Sequence, residues 1–262
     1  MIMNKSVYKK VWFYCSSALL FLLHLPFVFA KNKPVIDTKP QSLRMETMLP
    51  ADSILKINLV NTQNTLSAMY DSLRLNLMGL SRQAYDCAIQ GFNYLVKTGQ
   101  VANDHIISIV DFSLPSSRKR LFVLDLEKSK VVFNTYVAHG VNSGTACASQ
   151  FSNRPQSNQS SLGFYETLNT YNGGNGYSLR LQGLEPGIND NASRRDIVMH
   201  GAEYVSEDLV RAQGYIGRSW GCPAVPEKLH KPIIDKIKNG TCLFIYGPDR
   251  NYLTHSRILQ HG

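Results

Sequence analysis

Ile197-Val198-Met199-His200-Gly201 is an apolar run that ends on a histidine beside a glycine, and farther along the chain comes Gly217-Arg218-Ser219-Trp220-Gly221-Cys222-Pro223-Ala224. A glycine before a cysteine in a tight turn exposes the sulfur and turns the backbone N–H toward a bound carbonyl, as a nucleophile with an oxyanion hole requires. A neutral imidazole within reach accepts the thiol proton. From the residues alone the alternatives stay open, because a cysteine in an exported protein is more often in a disulfide and a strand-end histidine is more often structural.

Around this pair the sequence predicts a β-rich domain. Short runs of β-branched and aromatic residues indicate strands at Ile106–Asp111, Leu121–Leu126, Val131–Ala138, Ser178–Gln182, Asp196–His200 and Cys242–Tyr246. Between Gly140 and Gly176 a long segment rich in Asn, Ser, Gly and Gln predicts a loop. Loops of this length in compact domains are usually functional or disordered, and we expect a functional one because it leads into the histidine and cysteine stretches.

Two helices are predicted from apolar residues at three- and four-residue spacing. The first covers Ser81–Lys97, with Ser81 as N-cap and Gly99 just past its end, and its apolar face consists of Tyr85, Ala88, Phe92 and Leu95. The second covers Pro226–Asn239 before the stop signal Gly240, and its apolar face consists of Leu229, Ile233, Ile234 and Ile237. Pro232 either kinks or splits this second helix.

The N-terminus is predicted to be a targeting segment. Lys5, Lys9 and Lys10 precede an apolar stretch, Val11–Phe29, and Val28-Phe29-Ala30 resembles a cleavage site, so we expect a signal peptide and export to the periplasm or cell envelope. The alternative is an uncleaved anchor, which would be the protein's membrane contact. Cleavage removes three lysines and no acidic residue, which lowers the net charge from +9 to +6. A basic exported protein suits an anionic wall polymer, whereas the scattered basic residues do not predict nucleic-acid binding.

The composition is that of an ordinary core-forming protein. With 262 residues, of which 44% are hydrophobic and 18% charged, the chain is too apolar for disorder, and its five cysteines are too sparse for a disulfide-stapled miniprotein. We predict a signal peptide over 1–30, a linker over 31–50, an N-terminal helical segment over 51–100, a catalytic domain over 101–250 and a C-terminal tail over 251–262. No metal-ligand spacing or glycine-rich phosphate loop occurs in the sequence, so no metal or cofactor is expected.

The region Ser160–Gly247 resembles the catalytic domain of the L,D-transpeptidases, the YkuD-like cysteine enzymes of bacterial cell-wall metabolism, and in particular the murein L,D-transpeptidase branch. Four motifs of that family occur in order: Ser161-Leu162-Gly163-Phe164-Tyr165, Val198-Met199-His200-Gly201, Ser219-Trp220-Gly221-Cys222 and Asn239-Gly240-Thr241. The resemblance implies a mainly β (α+β) fold, a YkuD-like β-sandwich catalytic domain preceded by an N-terminal helical segment.

The same resemblance implies roles for six residues. Cys222 is the nucleophile and His200 its base, Gly201 orients the imidazole through its backbone, Ser219 braces the turn, and the N–H groups of Gly221 and Cys222 form the oxyanion hole. Tyr165 is expected at the substrate as a wall or hydroxyl donor, although it is as readily a core residue. Apart from the resemblance, we expect Trp220 and Arg218 at the substrate from their places in the cysteine turn, with a solvated loop residue as the alternative for Arg218. Two residues depart from the family pattern, since Trp220 replaces its usual turn histidine and Ala224 its usual Asn or Arg.

The implied activity is acyl transfer on peptidoglycan stem peptides. Cys222 forms a thioester with release of D-alanine, and the acceptor is a second stem peptide, an envelope protein or water; carbapenems are expected to acylate the same thiol. A papain-like endopeptidase is a weak alternative, because those enzymes place the cysteine before the histidine. The stronger alternative is a non-catalytic peptidoglycan-binding module with the same fold. One disulfide among Cys87, Cys147 and Cys242 stays open, with Cys242 more typical of a buried apolar residue.

Overall fold

The fold is built around one mixed sheet. The computed structural model of the chain describes residue 66 and residues 68–261. Within them eight strands occur: β1 (Ile106–Asp111), β2 (Leu121–Asp125), β3 (Lys130–Thr135), β4 (Gly163–Gly173), β5 (Gly176–Gly183), β6 (Val198–Ala202), β7 (Ala224–Pro226) and β8 (Cys242–Tyr246). The predicted signal peptide, the predicted linker and residues 51–65 of the predicted N-terminal segment lie outside the described residues.

Hydrogen bonds join all eight strands in the order β3-β2-β1-β8-β4-β5-β6-β7. The β1/β8 and β6/β7 pairs are parallel, and the remaining pairs are antiparallel. Every residue of β1, β2, β6 and β8 is buried, which explains why these strands appear in the sequence as continuous apolar runs without alternation. The expected sheet-dominated α+β class is confirmed.

Four strands agree with the prediction only approximately, and two were not predicted. β1 and β8 have the predicted bounds, whereas β2, β3, β5 and β6 begin or end up to three residues away. β4 lies inside the segment predicted to be a loop, so that prediction is wrong for residues 163–173. Its Asn and Gly residues suppress the local signal, and pairing with β8 on one side and β5 on the other imposes the strand. β7 has only three residues, too few for a sequence pattern.

The helices beside the sheet include α1 (Leu75–Met78), α2 (Arg82–Lys97), α3 (Glu207–Gln213), α4 (Glu227–Ile237), α5 (Arg250–His255) and α6 (Arg257–His261). α2 confirms its prediction, because the Ser81 hydroxyl accepts the Ala84 N–H at 3.2 Å and all four predicted apolar residues are buried. The helix packs closely on β4, where a Cβ added at Gly91 would come within 2.0 Å of the Phe164 ring. None of the helices in the described residues is both long and apolar enough to span a membrane.

α4 continues through Pro232, so the helix is neither split nor interrupted there. Ile233, Ile234 and Ile237 are buried as predicted. Leu229 is the exception, since 36% of its surface is exposed and the buried face begins one turn later.

The residues predicted to form a C-terminal tail fold into α5 and α6 and join the core. Tyr252, Ile258 and Leu259 are buried. The Tyr252 and Ser256 hydroxyls both donate to the buried Glu185 carboxylate, and the Gln90 side chain donates to the Leu259 carbonyl at 2.7 Å. These contacts attach the end of the chain to the sheet and to α2.

Candidate active site

Cys222 lies in a turn immediately before β7, and Ser219 organises that turn. The Ser219 hydroxyl donates to the Cys222 carbonyl at 2.6 Å and accepts the Gly221 N–H at 3.1 Å. Its backbone N–H donates to the His139 carbonyl at 2.9 Å, and its carbonyl accepts from the Val141 N–H at 2.7 Å. One small side chain thus closes the turn while its backbone ties the turn to residues 139–141.

Gly221 is required by the shape of this turn. Its φ of +122° is rarely adopted by residues with a side chain, and an added Cβ would come within 2.8 Å of the Gln159 carbonyl oxygen. Its N–H is already bound by Ser219, which differs from its expected place in an oxyanion hole. The Cys222 N–H donates to no protein group in the described part of the chain, so it alone of the two expected donors is free for a substrate oxygen.

The Cys222 thiol is half-buried beside the start of β6. Its sulfur lies 3.6 Å from the Asp196 carbonyl oxygen, to which the thiol donates, and it accepts the Val198 N–H. Burial raises the pKa of this thiol; the Val198 N–H and the positive charge of Arg195 act in the opposite direction, and Asp196 reinforces the increase. The resting group at neutral pH is therefore the thiol, with its proton directed at Asp196.

His200 lies on β6 opposite Ala224 of β7, two residues beyond Cys222 along the chain. Its side chain is buried, and Nδ1 lies 2.8 Å from the Gly201 carbonyl oxygen. A carbonyl only accepts, so this contact places the proton on Nδ1 and leaves Nε2 with a lone pair. Burial lowers the pKa of His200, which keeps the imidazole neutral at pH 7.

The structure brings Cys222 and His200 to adjacent strands without joining them. Among the described residues no hydrogen bond links the two side chains, since the thiol faces Asp196. Catalytic hydrogen bonds are often long in the absence of substrate and tighten in the complex. Rotation of the thiol away from the Asp196 carbonyl is the movement that such a pair requires here.

The three expected substrate residues differ in exposure. Trp220 is 80% exposed on the turn beside Cys222 and is free to contact a ligand. Arg218 is half-buried, and its guanidinium lies 3.4 Å from the Gly144 carbonyl oxygen. Tyr165 is fully buried and donates to the Ser161 carbonyl at 3.0 Å, which is the placement that the core alternative expects. Tyr165 belongs to the hydrophobic core on β4.

Sequence reasoning missed Arg195, which is the last residue of a three-residue helical turn, Ser193–Arg195, before β6 begins. Its guanidinium donates to the Ser152 and Gln159 carbonyls at 2.7 and 2.6 Å, to the Ser157 hydroxyl at 3.2 Å and to the Ser161 hydroxyl. Nothing in the local sequence distinguishes it from Arg194 beside it. Arg195 is recognised only in three dimensions, where several oxygens of one loop accept hydrogen bonds from its guanidinium.

A polar groove of about 790 Å³ opens in the loop that Arg195 holds. It is lined by amide, hydroxyl and apolar groups together with one cation, namely Asn142, Gln150, Phe151, Ser152, Arg154, Pro155, Ser157 and Gln159. Gln159 connects the groove with the cysteine turn, because its carbonyl oxygen packs against Gly221. The part of the predicted loop that precedes β4, residues 140–162, therefore forms a concave surface near the cysteine turn.

His139 does not line this groove. It is fully buried, where its Nδ1 accepts from the Arg120 guanidinium at 2.7 Å and its Nε2–H donates to the Gly144 carbonyl at 3.1 Å. Arg120 is fully buried too and also donates to the Leu114 and Val137 carbonyls. Burial and the neighbouring Arg120 charge lower the pKa of His139 to about 4. Neutral His139 and cationic Arg120 thus form a buried pair, and the His139 carbonyl binds the Ser219 N–H.

We expect His139 to make folding sensitive to acid. Its folded pKa is depressed from 6.5 to about 4, so its stabilisation is complete above pH 6.5 and is lost as the pH falls toward 4. The free energy of unfolding should drop by roughly 3 kcal/mol over this interval because of this residue. His139→Gln keeps an acceptor for Arg120 and a donor for Gly144 without a titrating ring, so denaturant unfolding at pH 7 and pH 4 should show a smaller loss in the variant. Equal losses in both proteins would contradict this role.

The other cysteines do not form disulfides in the described chain. Cys87 is half-buried, Cys147 is exposed and Cys242 is buried on β8. Burial raises the pKa of the Cys242 thiol, as expected of an apolar core residue. No cluster of three or more metal-ligating side chains occurs among the described residues.

Several known proteins resemble this chain, and one family model matches it. None of the curated proteins is similar enough to match. Among solved structures, an L,D-transpeptidase from Mycobacterium smegmatis is 13% identical with a TM-score of 0.34, covering 55% of this chain and 59% of that one. An L,D-transpeptidase from Mycobacterium tuberculosis is 12% identical with a TM-score of 0.33, covering 55% of this chain and 58% of that one. The helical cell shape determining protein from Campylobacter jejuni is 14% identical with a TM-score of 0.38, covering 63% of this chain and 57% of that one.

The chain thus spans less than two thirds of each of these proteins. The family model is that of the L,D-transpeptidase catalytic domain, and it matches residues 77–246, more than half of the chain. It begins in α1 and ends with β8, so it contains the whole sheet and the candidate site, and it confirms the predicted YkuD-like fold. The chain therefore belongs to the L,D-transpeptidase catalytic domain family.

Proposed function

We propose that this protein is a murein L,D-transpeptidase that forms a thioester between Cys222 and a peptidoglycan stem peptide. The observation that supports it most is the cysteine turn itself. There a half-exposed thiol stands next to its own free backbone N–H, and a neutral histidine with an open Nε2 lies on the neighbouring strand. Nucleophile, oxyanion donor and base are the three groups that acyl transfer needs.

The reaction has two halves in this proposal. His200 Nε2 takes the thiol proton while the sulfur attacks the carbonyl that joins the third stem residue to the terminal D-alanine. The Cys222 N–H donates to the resulting oxyanion, and the carbon–nitrogen bond breaks as the imidazolium returns its proton to the leaving D-alanine amine. The thioester is then attacked by an amine, which gives a cross-link or a protein attachment, or by water, which gives carboxypeptidase activity.

The remaining parts of the proposal concern the place and the partners of the reaction. The N-terminal apolar segment and the basic net charge, +9 for the whole chain and +6 after the predicted cleavage, favour an exported enzyme of the periplasm or cell envelope, with the anionic wall polymer as its substrate. The acceptor is a stem peptide, an envelope protein or water. The polar groove beside Gly221 is the surface that we assign to the donor peptide.

The proposal is tested by incubating the purified protein with a tetrapeptide muropeptide and, separately, with a carbapenem, followed by intact mass and D-alanine analysis. We expect a covalent adduct on Cys222 and release of D-alanine. A folded protein that gives neither, yet sediments with sacculi, would overturn the enzyme and favour the non-catalytic wall-binding module.

Trp220→Ala should weaken substrate binding without affecting the fold. The indole is 80% exposed beside the nucleophile, so its removal exposes little core while depriving a ligand of an aromatic surface worth about 1 kcal/mol. We expect kcat/KM for D-alanine release to fall about fivefold to tenfold, mainly through KM, at an unchanged melting temperature. Leu77→Ala is the matched control, because that side chain is 74% exposed on α1. An unchanged KM in the Trp220 variant would remove this residue from the substrate site.

A further inference from the structure

Arg195 makes more hydrogen bonds than a surface arginine needs, and all of them go to one segment. Its four acceptors belong to Ser152, Ser157, Gln159 and Ser161. All four are neutral, and within the described residues no carboxylate lies at ion-pair distance from the guanidinium. Burying half of a cation without a counter-ion costs free energy, and here four hydrogen bonds to neutral oxygens offset that cost.

The guanidinium also lies next to the cysteine turn. A Cβ added at Gly221 would be 3.2 Å from Arg195 Nη2 and 2.8 Å from the Gln159 carbonyl oxygen, which is itself bound by Arg195. The Ser160 hydroxyl adds a link from the same segment to the Gly221 carbonyl at 3.4 Å. The Arg195 guanidinium and the segment 152–161 that it binds are therefore packed directly against the cysteine turn.

We propose that Arg195 is a positioning residue that fixes the segment 152–161 against the cysteine turn and holds a positive charge beside the Cys222 sulfur. The inference rests on the proposed role of Cys222 as the nucleophile. Three groove residues, Ser152, Ser157 and Gln159, are held directly by this one side chain. Arg195 thus links the shape of the substrate groove to the reactivity of the thiol.

The electrostatic part has a clear direction. The charged and titratable groups that act on the Cys222 thiol are Arg195 and Asp196, with the Tyr204 hydroxyl nearby. Arg195 is the only cation of the three, and it lowers the thiol pKa against the effect of burial. Burial lowers the pKa of Arg195 itself, yet a guanidinium remains protonated at neutral pH. Removing it leaves burial and Asp196 acting together against the thiolate.

The test compares Arg195→Gln, Arg195→Lys and the control Arg194→Gln. Arg194 is exposed on the same helical turn and has no hydrogen bond or ion pair among the described contacts. Arg194→Gln therefore removes the same charge from the neighbouring position without removing any of these contacts. Two measurements are made on the purified protein: the pH midpoint of iodoacetamide alkylation at Cys222, resolved by peptide mass, and proteolytic cleavage within residues 152–161.

For Arg195→Gln we expect a higher alkylation midpoint, with about tenfold slower alkylation at pH 8, and faster cleavage of the segment. Arg195→Lys should keep the midpoint near the parental value, because the charge remains, but should be cleaved faster, because an ammonium does not span four acceptors. Arg194→Gln should match the parent in both. A parental midpoint together with parental cleavage in Arg195→Gln would overturn the inference. Neither measurement uses turnover, so shifted values in a protein that releases no D-alanine would refute the proposed function and leave the role of Arg195 standing.

Discussion

Cys222→Ala is expected to lower D-alanine release from a tetrapeptide by at least about 10⁴-fold, because an alanine methyl cannot form the thioester on which both halves of the reaction depend. The carbapenem adduct should disappear with it. The fold should persist, since the turn is held by Ser219 and by the Cys222 backbone, both of which the variant keeps. Loss of one half-buried sulfur should cost about 1 kcal/mol in the free energy of unfolding.

The matched control is Cys147→Ser, which removes an exposed thiol from the same loop region and should leave adduct formation and D-alanine release unchanged. Intact mass and a D-alanine assay on the same samples measure both outcomes, and thermal unfolding confirms that each variant is folded. Release at the parental rate from Cys222→Ala would refute the thioester mechanism, and loss of the adduct in the Cys147 variant would move the nucleophile to that residue.

The elements that the sequence predicts well are those whose own residues carry the signals for the strand or helix and for its ends. β1 and β8 are continuous apolar runs because both faces are covered, and α2 carries its own cap at Ser81 and its own stop at Gly99. β4 has no such independence. Its Asn and Gly residues form a strand only between β5, which follows directly through a tight turn, and β8, which lies about 70 residues farther along the chain.

The candidate site divides in the same way. The residue types alone leave the roles of His200 and Cys222 open, and it is the family resemblance of the ordered motifs that implies a base and a nucleophile. The structure pairs His200 of β6 with Ala224 of β7, two residues after Cys222. Hydrogen-bond assignments within the turn were not predictable, because whether the Gly221 N–H faces a substrate or the Ser219 hydroxyl depends on one side-chain rotation. The burial of Tyr165 depends on which face of β4 packs into the core, which the local sequence does not reveal. The contacts of Arg195 depend on a loop that folds back over its guanidinium.

His200→Ala is expected to lower kcat/KM for D-alanine release by roughly 10²- to 10⁴-fold, because the thiol then has no positioned base. The structure gives this expectation a pH signature. Burial lowers the pKa of His200 from its usual 6.5, so the parental activity should persist below pH 6.5 and fall only as the buried imidazole is protonated at more acidic pH. In His200→Ala this acid limb should vanish, and the residual rate should rise with pH as the Cys222 thiolate forms, since burial raises the pKa of that thiol.

The decisive comparison separates the base from the thiol it serves. Iodoacetamide at high pH does not need a general base, so Cys222 in His200→Ala should alkylate there at close to the parental rate, which would show that the turn is intact. His255→Ala, at the exposed end of α5, removes an imidazole elsewhere and should keep both the rate and the acid limb. Because the resting thiol donates to the Asp196 carbonyl and not to His200, the base acts only after the sulfur rotates. A His200→Ala enzyme with the parental rate and the parental acid limb would show that the rotated thiol is served by another group, and His200 would then be a structural residue of β6.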